Sequence, residues 1–248
     1  MIKRLTALTI SLIMLITVIQ FETVSVFAET YLRTNGGLEV TSYTGEEFSY
    51  DSSAGLITIS EGGSYQIAGM TDSETIKITA RGDVTLTLCE LSITSETAAP
   101  IEIAGSGDVK IDFLGGNYLT CTSTSYTEGY AGFQKTSVDN TLTIKGSTDG
   151  TLTVQGGTKA AGIGGGIGCP GTNIIIERGN ITATGGMSAA GIGGAADYYD
   201  YTKINGTHYA NTVTITGGNV TAYGGYGAPG IGSGYGDYSG DNKTTITG

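Results

Sequence analysis

Tyrosine is concentrated near the end of this 248-residue chain. Eight of its 15 tyrosines fall in the last fifth, at Tyr198, Tyr199, Tyr201, Tyr209, Tyr223, Tyr226, Tyr235 and Tyr238. A tyrosine ring offers a flat apolar face with a polar tip, which suits a sugar ring with apolar faces and a hydroxyl rim. The sequence therefore predicts a carbohydrate-binding platform, to which we assign Tyr198, Tyr199, Tyr201, Tyr235 and Tyr238. The alternative is that these rings pack the inserts against the rest of the fold.

Four aspartates in the same segments are candidate metal ligands. Asp197 and Asp200 follow one Gly-rich phrase, and Asp237 and Asp241 follow the next. If both loops leave the same corner of a repeating fold, the four carboxylates converge, and calcium favours oxygen ligands in flexible loops. We therefore predict that these four aspartates bind calcium. Their spacing matches no known calcium loop, which leaves solvated acidic loops as the alternative.

A charged cluster in the middle of the chain suggests a second chemistry. Lys110 and Asp112 alternate along VKIDF, so both side chains face away from the apolar residues between them. Lys145 and Glu177 flank them in the following repeats. A basic group beside carboxylates is what a polysaccharide lyase needs, with Lys110 or Arg178 as the base. The interpretation that we favour is a set of solvated ion pairs between repeats, which contribute little to stability.

Composition narrows the classes of function. The formal net charge is −11, and an acidic chain is a poor nucleic-acid binder. The single histidine, His208, leaves little scope for histidine-based catalysis or metal binding. Three cysteines, Cys89, Cys121 and Cys169, do not make a disulfide framework. Cys89 and Cys121 could pair after export, but we favour buried free thiols, since cysteine behaves as a small apolar residue in a core.

The elements that position these residues are short strands. From about Leu56 onward, runs of alternating apolar and polar residues recur, and no stretch shows a helical stripe. Comparable strands begin at Val84, Val109, Leu142, Ile174 and Val213. Their regular spacing predicts an all-β fold, a single-stranded parallel β-helix or β-solenoid with coils of about 25–39 residues. A sandwich or barrel is the competing architecture, but it does not require its strands to resemble one another.

One Gly-rich phrase is repeated three times in the second half of the chain. Its copies are GGTKAAGIGGG at 156–166, GGMSAAGIGGA at 185–195 and GGYGAPGIGSG at 224–234. The central residues Ile163, Ile192 and Ile231 predict an internal ladder of stacked side chains. The surrounding glycines predict coil corners, where the backbone needs positive φ. The alternative is a bare strip that lets a ligand approach the backbone.

Threonine recurs at outward-facing strand positions. Examples are Thr85, Thr87, Thr143, Thr153, Thr182, Thr214, Thr221 and Thr245. Threonine columns on a solenoid could order water as an ice-binding surface does, but threonine is also a common outward residue of strands. Lys110, Asp112, Lys145 and Glu177 interrupt the column, which argues against ice binding.

The ends of the chain differ from its middle. A basic start, an apolar run over 5–19 and a small-residue site ending at Ala28 predict a signal peptide over 1–28. We expect residues 29–55 to form an N-terminal lead-in or cap and residues 56–248 to form the β-helix. After cleavage we expect no membrane insertion. Because solenoids need caps and the sequence stops at the opening of another unit, we expect a longer, multi-domain chain.

Three segments resemble a family of bacterial surface proteins. They are GLITISEGGSYQIAG from Gly55, the run from Cys89 to Thr120, and TLTVQGGTKAAGIGGG from Thr151. The family is labelled carbohydrate-binding domain-containing, and its members form right-handed parallel β-helices. Its better-studied relatives are described as binding calcium and acidic polysaccharides and as similar in shape to pectate lyases. The resemblance implies a right-handed coil and sugar binding at the cell surface, and it transfers no catalytic motif.

The sequence therefore predicts a secreted or cell-surface β-helix that binds an extracellular polysaccharide or other glycan, for adhesion or polysaccharide capture. We expect no catalysis, and calcium is the candidate cofactor. One alternative is a calcium-dependent enzyme similar to polysaccharide lyases. The other is a structural stalk or adhesin spacer.

Overall fold

The fold consists of β-strands whose alternate side chains are buried. The computed structural model describes residues 29–44, 47–169, 171–196, 203–204, 207–208, 211–236 and 243–247. These ranges contain no α-helix, so none of the described residues belongs to a helix that could cross a membrane. In Leu142–Gly146, for example, Leu142 and Ile144 are fully buried and Thr143 and Lys145 are half-buried, as the period of two in the sequence predicts.

The strands follow one another in the order of a winding coil. Three strands come first: β1 (Thr30–Arg33), β2 (Leu38–Ser42) and β3 (Phe48–Asp51). The first three coils contain β4 (Leu56–Ile59), β5 (Gly63–Thr71), β6 (Thr75–Ile78), β7 (Val84–Ser95), β8 (Ile101–Ile103), β9 (Val109–Leu114) and β10 (Gly116–Cys121). The next two contain β11 (Phe133–Lys135), β12 (Leu142–Gly146), β13 (Thr151–Gln155), β14 (Ile163–Gly164), β15 (Ile174–Arg178) and β16 (Asn180–Thr184). The remaining strands are β17 (Ile192–Gly193), β18 (Lys203–Ile204), β19 (Thr207–His208), β20 (Thr212–Ile215), β21 (Asn219–Tyr223), β22 (Ile231–Gly232) and β23 (Lys243–Ile246).

Like strands of successive coils pair in parallel and form three faces. The first face contains β4, β6, β8, β11, β14, β17 and β22. The second face contains residues 63–68 of β5, residues 84–89 of β7, and β9, β12, β15, β20 and β23. The third face contains residues 69–71 of β5, residues 91–95 of β7, and β10, β13, β16 and β21. The predicted parallel β-helix is confirmed, with β5 and β7 bending from the second face onto the third.

Apolar ladders fill the interior of the coil. The predicted alignment of comparable strands is confirmed in the strand register, in which Val84, Val109, Leu142, Ile174 and Val213 pair in succession. The predicted pairing of Ile163, Ile192 and Ile231 is also confirmed. On the same face this ladder continues back through Phe133, Ile101, Ile76 and Ile57. A continuous stack of buried side chains therefore runs along the axis of the solenoid.

Stacked glycines form one corner of the later coils. Gly164, Gly193 and Gly232 have φ values of +131°, +124° and +133°, a region that side chains other than glycine rarely adopt. A Cβ atom at Gly164 would lie 2.1 Å from the carbonyl oxygen of Gly193, and one at Gly193 would lie 2.1 Å from that of Gly232. The second glycine of each Gly-Ile-Gly sequence is therefore required by the corner itself, as the sequence predicted.

A buried carboxylate fastens the N-terminal strands to the coil. Glu74 is 2 % exposed and accepts hydrogen bonds from the amide of Gly36 at 2.8 Å and from the hydroxyls of Thr34 and Tyr50. Burial acts to raise the pKa of Glu74, but these donors outweigh it and hold the pKa below its ordinary value. Glu74 directly precedes β6 of the coil, whereas Thr34 and Gly36 lie between β1 and β2, and Tyr50 lies on β3. The carboxylate therefore links the antiparallel N-terminal strands to the parallel coils.

The three cysteines are free thiols. Cys121 is buried, whereas Cys89 and Cys169 are half-buried. The favoured prediction of free thiols is confirmed, but burial holds for Cys121 alone. The prediction of burial is wrong for Cys89 because this residue occupies an outward position on β7, beside Leu114 of β9.

Candidate functional site

The second face carries an open groove lined by charged side chains. The groove has a volume of about 450 Å³, and its charged lining residues are Asp83, Asp108, Lys110, Lys145 and Glu177. A neighbouring hollow of about 360 Å³ shares Lys110 and Lys145 and adds Asp112 and Arg178. The register explains the clustering, because Asp112 pairs with Lys145 on the next coil and Lys145 pairs with Arg178 on the coil after it. The residues that the sequence assigned to a base–carboxylate cluster therefore do meet.

Both lysines of this groove face carboxylates. The ammonium group of Lys110 donates to Oδ2 of Asp112 at 2.9 Å, and Nζ of Lys145 lies 3.5 Å from Oε2 of Glu177. The prediction of ion pairs between coils holds for Lys145 and Glu177. It is wrong for Lys110 and Asp112, which pair within β9 because residues two apart in a strand share one side. All four side chains are partly exposed, so each pair contributes about 1 kcal/mol or less to stability.

The third face differs because its outward residues carry no charge. They are Met70, Ser92, Thr94, Tyr118, Thr120, Thr151, Thr153, Gln155, Asn180, Thr182, Thr184, Asn219, Thr221 and Tyr223. Inward residues such as Leu119, Leu152 and Ile181 are buried between them. The outward side chains are aligned in rows along the solenoid axis by the parallel register. One such row runs through Thr153, Thr182 and Thr221.

Tyr118 supplies an aromatic ring to this face. It is 51 % exposed and lies at one end of a hollow of about 240 Å³, which also includes Thr151, Thr153, Asn180 and Thr182. The ring folds back over Gly116, where an added Cβ atom would lie 3.5 Å from its Cε2 atom. The result is a half-exposed ring beside hydroxyl and amide groups. This combination can contact both the apolar face and the hydroxyl groups of a sugar.

A buried asparagine fixes the strand that carries Tyr118. The side-chain amide of Asn117 donates to the carbonyl oxygens of Leu114 at 2.9 Å, Gly115 at 3.2 Å and Thr151 at 3.3 Å. Its Oδ1 atom accepts from the amide of Leu91 at 3.0 Å. Asn117 thus joins three successive coils at the corner where the third face begins. Sequence reasoning missed both Asn117 and Tyr118, since neither recurs at the matching positions of other repeats.

The tyrosine platform predicted from the sequence lies mostly outside the described residues. This holds for Tyr198, Tyr199, Tyr201 and Tyr238. Tyr235 is described. It is 53 % exposed, its amide donates to the carbonyl oxygen of Ser188 at 2.7 Å, and its ring lies beside Gly227.

Two further tyrosines of the same segment are also exposed. Tyr223 is 57 % exposed and occupies the last position of the third face on β21. Tyr226, in the loop that follows, is 88 % exposed. We call Tyr223, Tyr226 and Tyr235 the C-terminal tyrosines, of which Tyr223 lies on β21, the last strand of the third face.

The aspartates predicted to bind calcium also lie outside the described residues. These are Asp197, Asp200, Asp237 and Asp241. Among the residues that the structure does describe, no group of three or more acidic, histidine or cysteine side chains is arranged to hold a metal ion. The calcium site remains a prediction from the sequence.

The outward threonines divide between two faces. Thr85, Thr143, Thr214 and Thr245 lie on the second face, where Lys110 stands in the same row. Thr153, Thr182 and Thr221 lie on the third face. The charged residues that interrupt the threonines therefore do so on the second face alone. On the third face the threonines are interrupted by Tyr118 and by uncharged amides, and this arrangement favours a ligand with both apolar and hydroxyl groups.

Comparison with known proteins gives two matches to family models. The model of a family described as carbohydrate-binding domain-containing protein matches residues 53–184, more than half of the chain. A model of a beta helix repeat matches residues 174–196 and 213–235. Residues 53–184 include the charged groove of the second face and the part of the third face that holds Tyr118. Residues 213–235 include the C-terminal tyrosines. No curated protein and no solved structure matches the chain significantly.

Proposed function

Because the chain belongs to the family of carbohydrate-binding domain-containing proteins, we propose that it is an exported β-helix that binds extracellular carbohydrate without cleaving it. The binding surface is the third face together with the C-terminal tyrosines. The role of this binding is adhesion or the capture of polysaccharide. The signal peptide over residues 1–28 is part of the same proposal and rests on the pattern of the N-terminal sequence.

One observation carries the assignment of the surface. The half-exposed ring of Tyr118 borders a hollow of about 240 Å³ that is lined by threonine and asparagine side chains. Carbohydrate recognition combines contact with an aromatic ring and hydrogen bonds from neutral polar groups. The ring and the polar groups sit on hydrogen-bonded strands, so little backbone freedom is lost on binding. The brace through Asn117 supports this preorganisation.

The C-terminal tyrosines are part of the proposed surface. Tyr223 belongs to the third face, and Tyr226 and Tyr235 are exposed residues of the segment that follows it. The sequence also assigns Tyr198, Tyr199, Tyr201 and Tyr238 to binding, and these residues lie outside the described ones. We propose that they add contacts to the far end of the bound carbohydrate. We also propose that Asp197, Asp200, Asp237 and Asp241 bind calcium.

The enzymatic alternative rests on the charged groove of the second face. A lyase would use Lys110 or Arg178 as a base beside Asp112 and Glu177. We favour binding over cleavage because the aromatic ring and the neutral polar groups of the third face suit a sugar, whereas both lysines of the groove are engaged in ion pairs. The groove and the third face are separate surfaces, so variants distinguish the two functions.

Retention of the full chain on immobilised polysaccharides tests the proposal. We expect at least one polysaccharide to retain the protein, no unsaturated product to appear, and Lys110→Ala to be retained like the unsubstituted chain. We also expect added calcium to raise the Tm. Retention by none of the polysaccharides would contradict carbohydrate binding and favour the stalk. Unsaturated product that Lys110→Ala abolishes would establish the lyase, and an unchanged Tm would overturn the calcium site alone.

A further inference from the structure

Charge separates the third face from the other two. The first face carries an outward pair in which Nζ of Lys77 lies 3.1 Å from Oε2 of Glu102. The second face carries the pairs of Lys110 and Lys145 with their carboxylates. The outward residues of the third face are threonine, serine, asparagine, glutamine, tyrosine and one methionine. In a chain with a formal net charge of −11, a ligand of this uncharged surface has to be held by neutral hydrogen bonds and apolar contacts rather than by ion pairs.

The rows of the third face run along the solenoid axis. Tyr118 pairs with Thr153, which continues through Thr182 to Thr221 on β21. A parallel row contains Asn180 and Asn219. Neighbouring strands are ~4.8 Å apart, so the three steps from β10 to β21 span about 14 Å, the length of about three sugar units. The polar groups therefore repeat at a distance comparable to the repeat of an extended glycan.

Resting on the function proposed above, we infer that the ligand of the third face is an uncharged, extended glycan that lies parallel to the solenoid axis across β10, β13, β16 and β21. Its first sugar stacks on Tyr118, and the following sugars meet the threonine and asparagine rows. The family resemblance implies an acidic polysaccharide as the ligand, whereas the uncharged residues of this face favour a neutral glycan.

Electrostatics decides between classes of glycan. An acidic glycan would bring carboxylates or sulfates onto a surface whose outward residues include no lysine or arginine, against the negative field of the whole chain. Desolvating an anion without a partner is costly. A cationic glycan would find no carboxylate among the same outward residues. Hydroxyl and amide groups instead pair with sugar hydroxyls through neutral hydrogen bonds, which salt does not screen.

Titration calorimetry with defined oligosaccharides tests this inference on the full chain. The probes are neutral β-glucan, β-mannan and xylan oligomers of increasing length, oligogalacturonate, and deacetylated chitosan oligomers. We expect one neutral series to bind, with affinity that rises up to about three or four sugar units and then levels off. We expect its affinity to change less than about twofold between low and high salt. Thr221→Lys, at the far end of the row, should weaken the longer oligomers and leave the shortest ones unchanged.

The outcomes separate the two claims. Binding of oligogalacturonate or chitosan oligomers that weakens with salt, with no neutral series bound, would overturn this inference and leave carbohydrate binding standing. Equal loss of short and long neutral oligomers in Thr221→Lys would overturn the axial orientation. Binding of no probe in any class would overturn the proposed function itself and this inference with it.

Discussion

Replacing Tyr118 with alanine is expected to weaken carbohydrate binding by about 2 kcal/mol, or roughly 30-fold in affinity. The ring is 51 % exposed, so its removal costs little folded-state packing. It takes away the one large apolar contact in the hollow of the third face, while the threonine and asparagine groups remain. The measurement is the Kd of the variant for a bound oligosaccharide, alongside its Tm.

Tyr31→Ala is the matched control for this substitution. Tyr31 is exposed to a similar extent, 58 %, but it lies on β1, which pairs with β2 in the N-terminal strands and does not contribute to the third face. Its affinity should equal that of the unsubstituted chain. Similar affinities for both variants, with both folded, would remove Tyr118 from the binding surface.

Replacing Gly193 with alanine is expected to destabilise the chain by about 3 kcal/mol or more. Its φ of +124° is strained for alanine, and the new Cβ atom would lie 2.1 Å from the carbonyl oxygen of Gly232 on the next coil. Because each coil of a solenoid contacts its neighbours, the damage should concentrate in the adjacent coils. Denaturant unfolding gives the free energy, and hydrogen exchange gives the location.

Gly227→Ala separates backbone strain from the clash. Gly227 also has a positive φ, +74°, but an added Cβ atom there would find its nearest neighbour, Cδ2 of Tyr235, at 3.6 Å. The expected loss is about 1 kcal/mol, the cost of the left-handed conformation alone. An equal loss in both variants would show that the stacking of glycine corners does not limit stability.

Much of the fold could be predicted because the repeats are visible in the sequence. The spacing of Val84, Val109 and Leu142 gave the register that the strand pairing confirms. The three copies of the Gly-rich phrase aligned Ile163 with Ile192 in the same way. Repeats of this kind indicate which residues stack, since one coil must pack on the next.

The candidate site was harder to predict because it depends on which strand of each coil a residue occupies. In the sequence Thr143 and Thr153 look alike, yet they lie on different faces, one charged and one uncharged. Tyr118 is a single aromatic residue in an ordinary strand, and Asn117 looks like a turn residue until its bonds to three coils are seen. For the segments that hold the predicted tyrosines and aspartates, the sequence offered amino-acid composition as a sign of binding and no repeat that would place the side chains on a face.

Whether the third face binds the carbohydrate can be decided by comparing the affinity of Thr182→Lys with that of Thr214→Lys. Both threonines are half-buried outward residues of neighbouring coils, Thr182 in the middle of the third face and Thr214 on the second face. A lysine at Thr182 would place a long charged side chain in the hollow beside Asn180. If the third face binds the carbohydrate, Thr182→Lys should lose about tenfold or more in affinity and Thr214→Lys should keep the affinity of the unsubstituted chain. Unchanged affinity in Thr182→Lys, or a loss in Thr214→Lys alone, would contradict binding at this face.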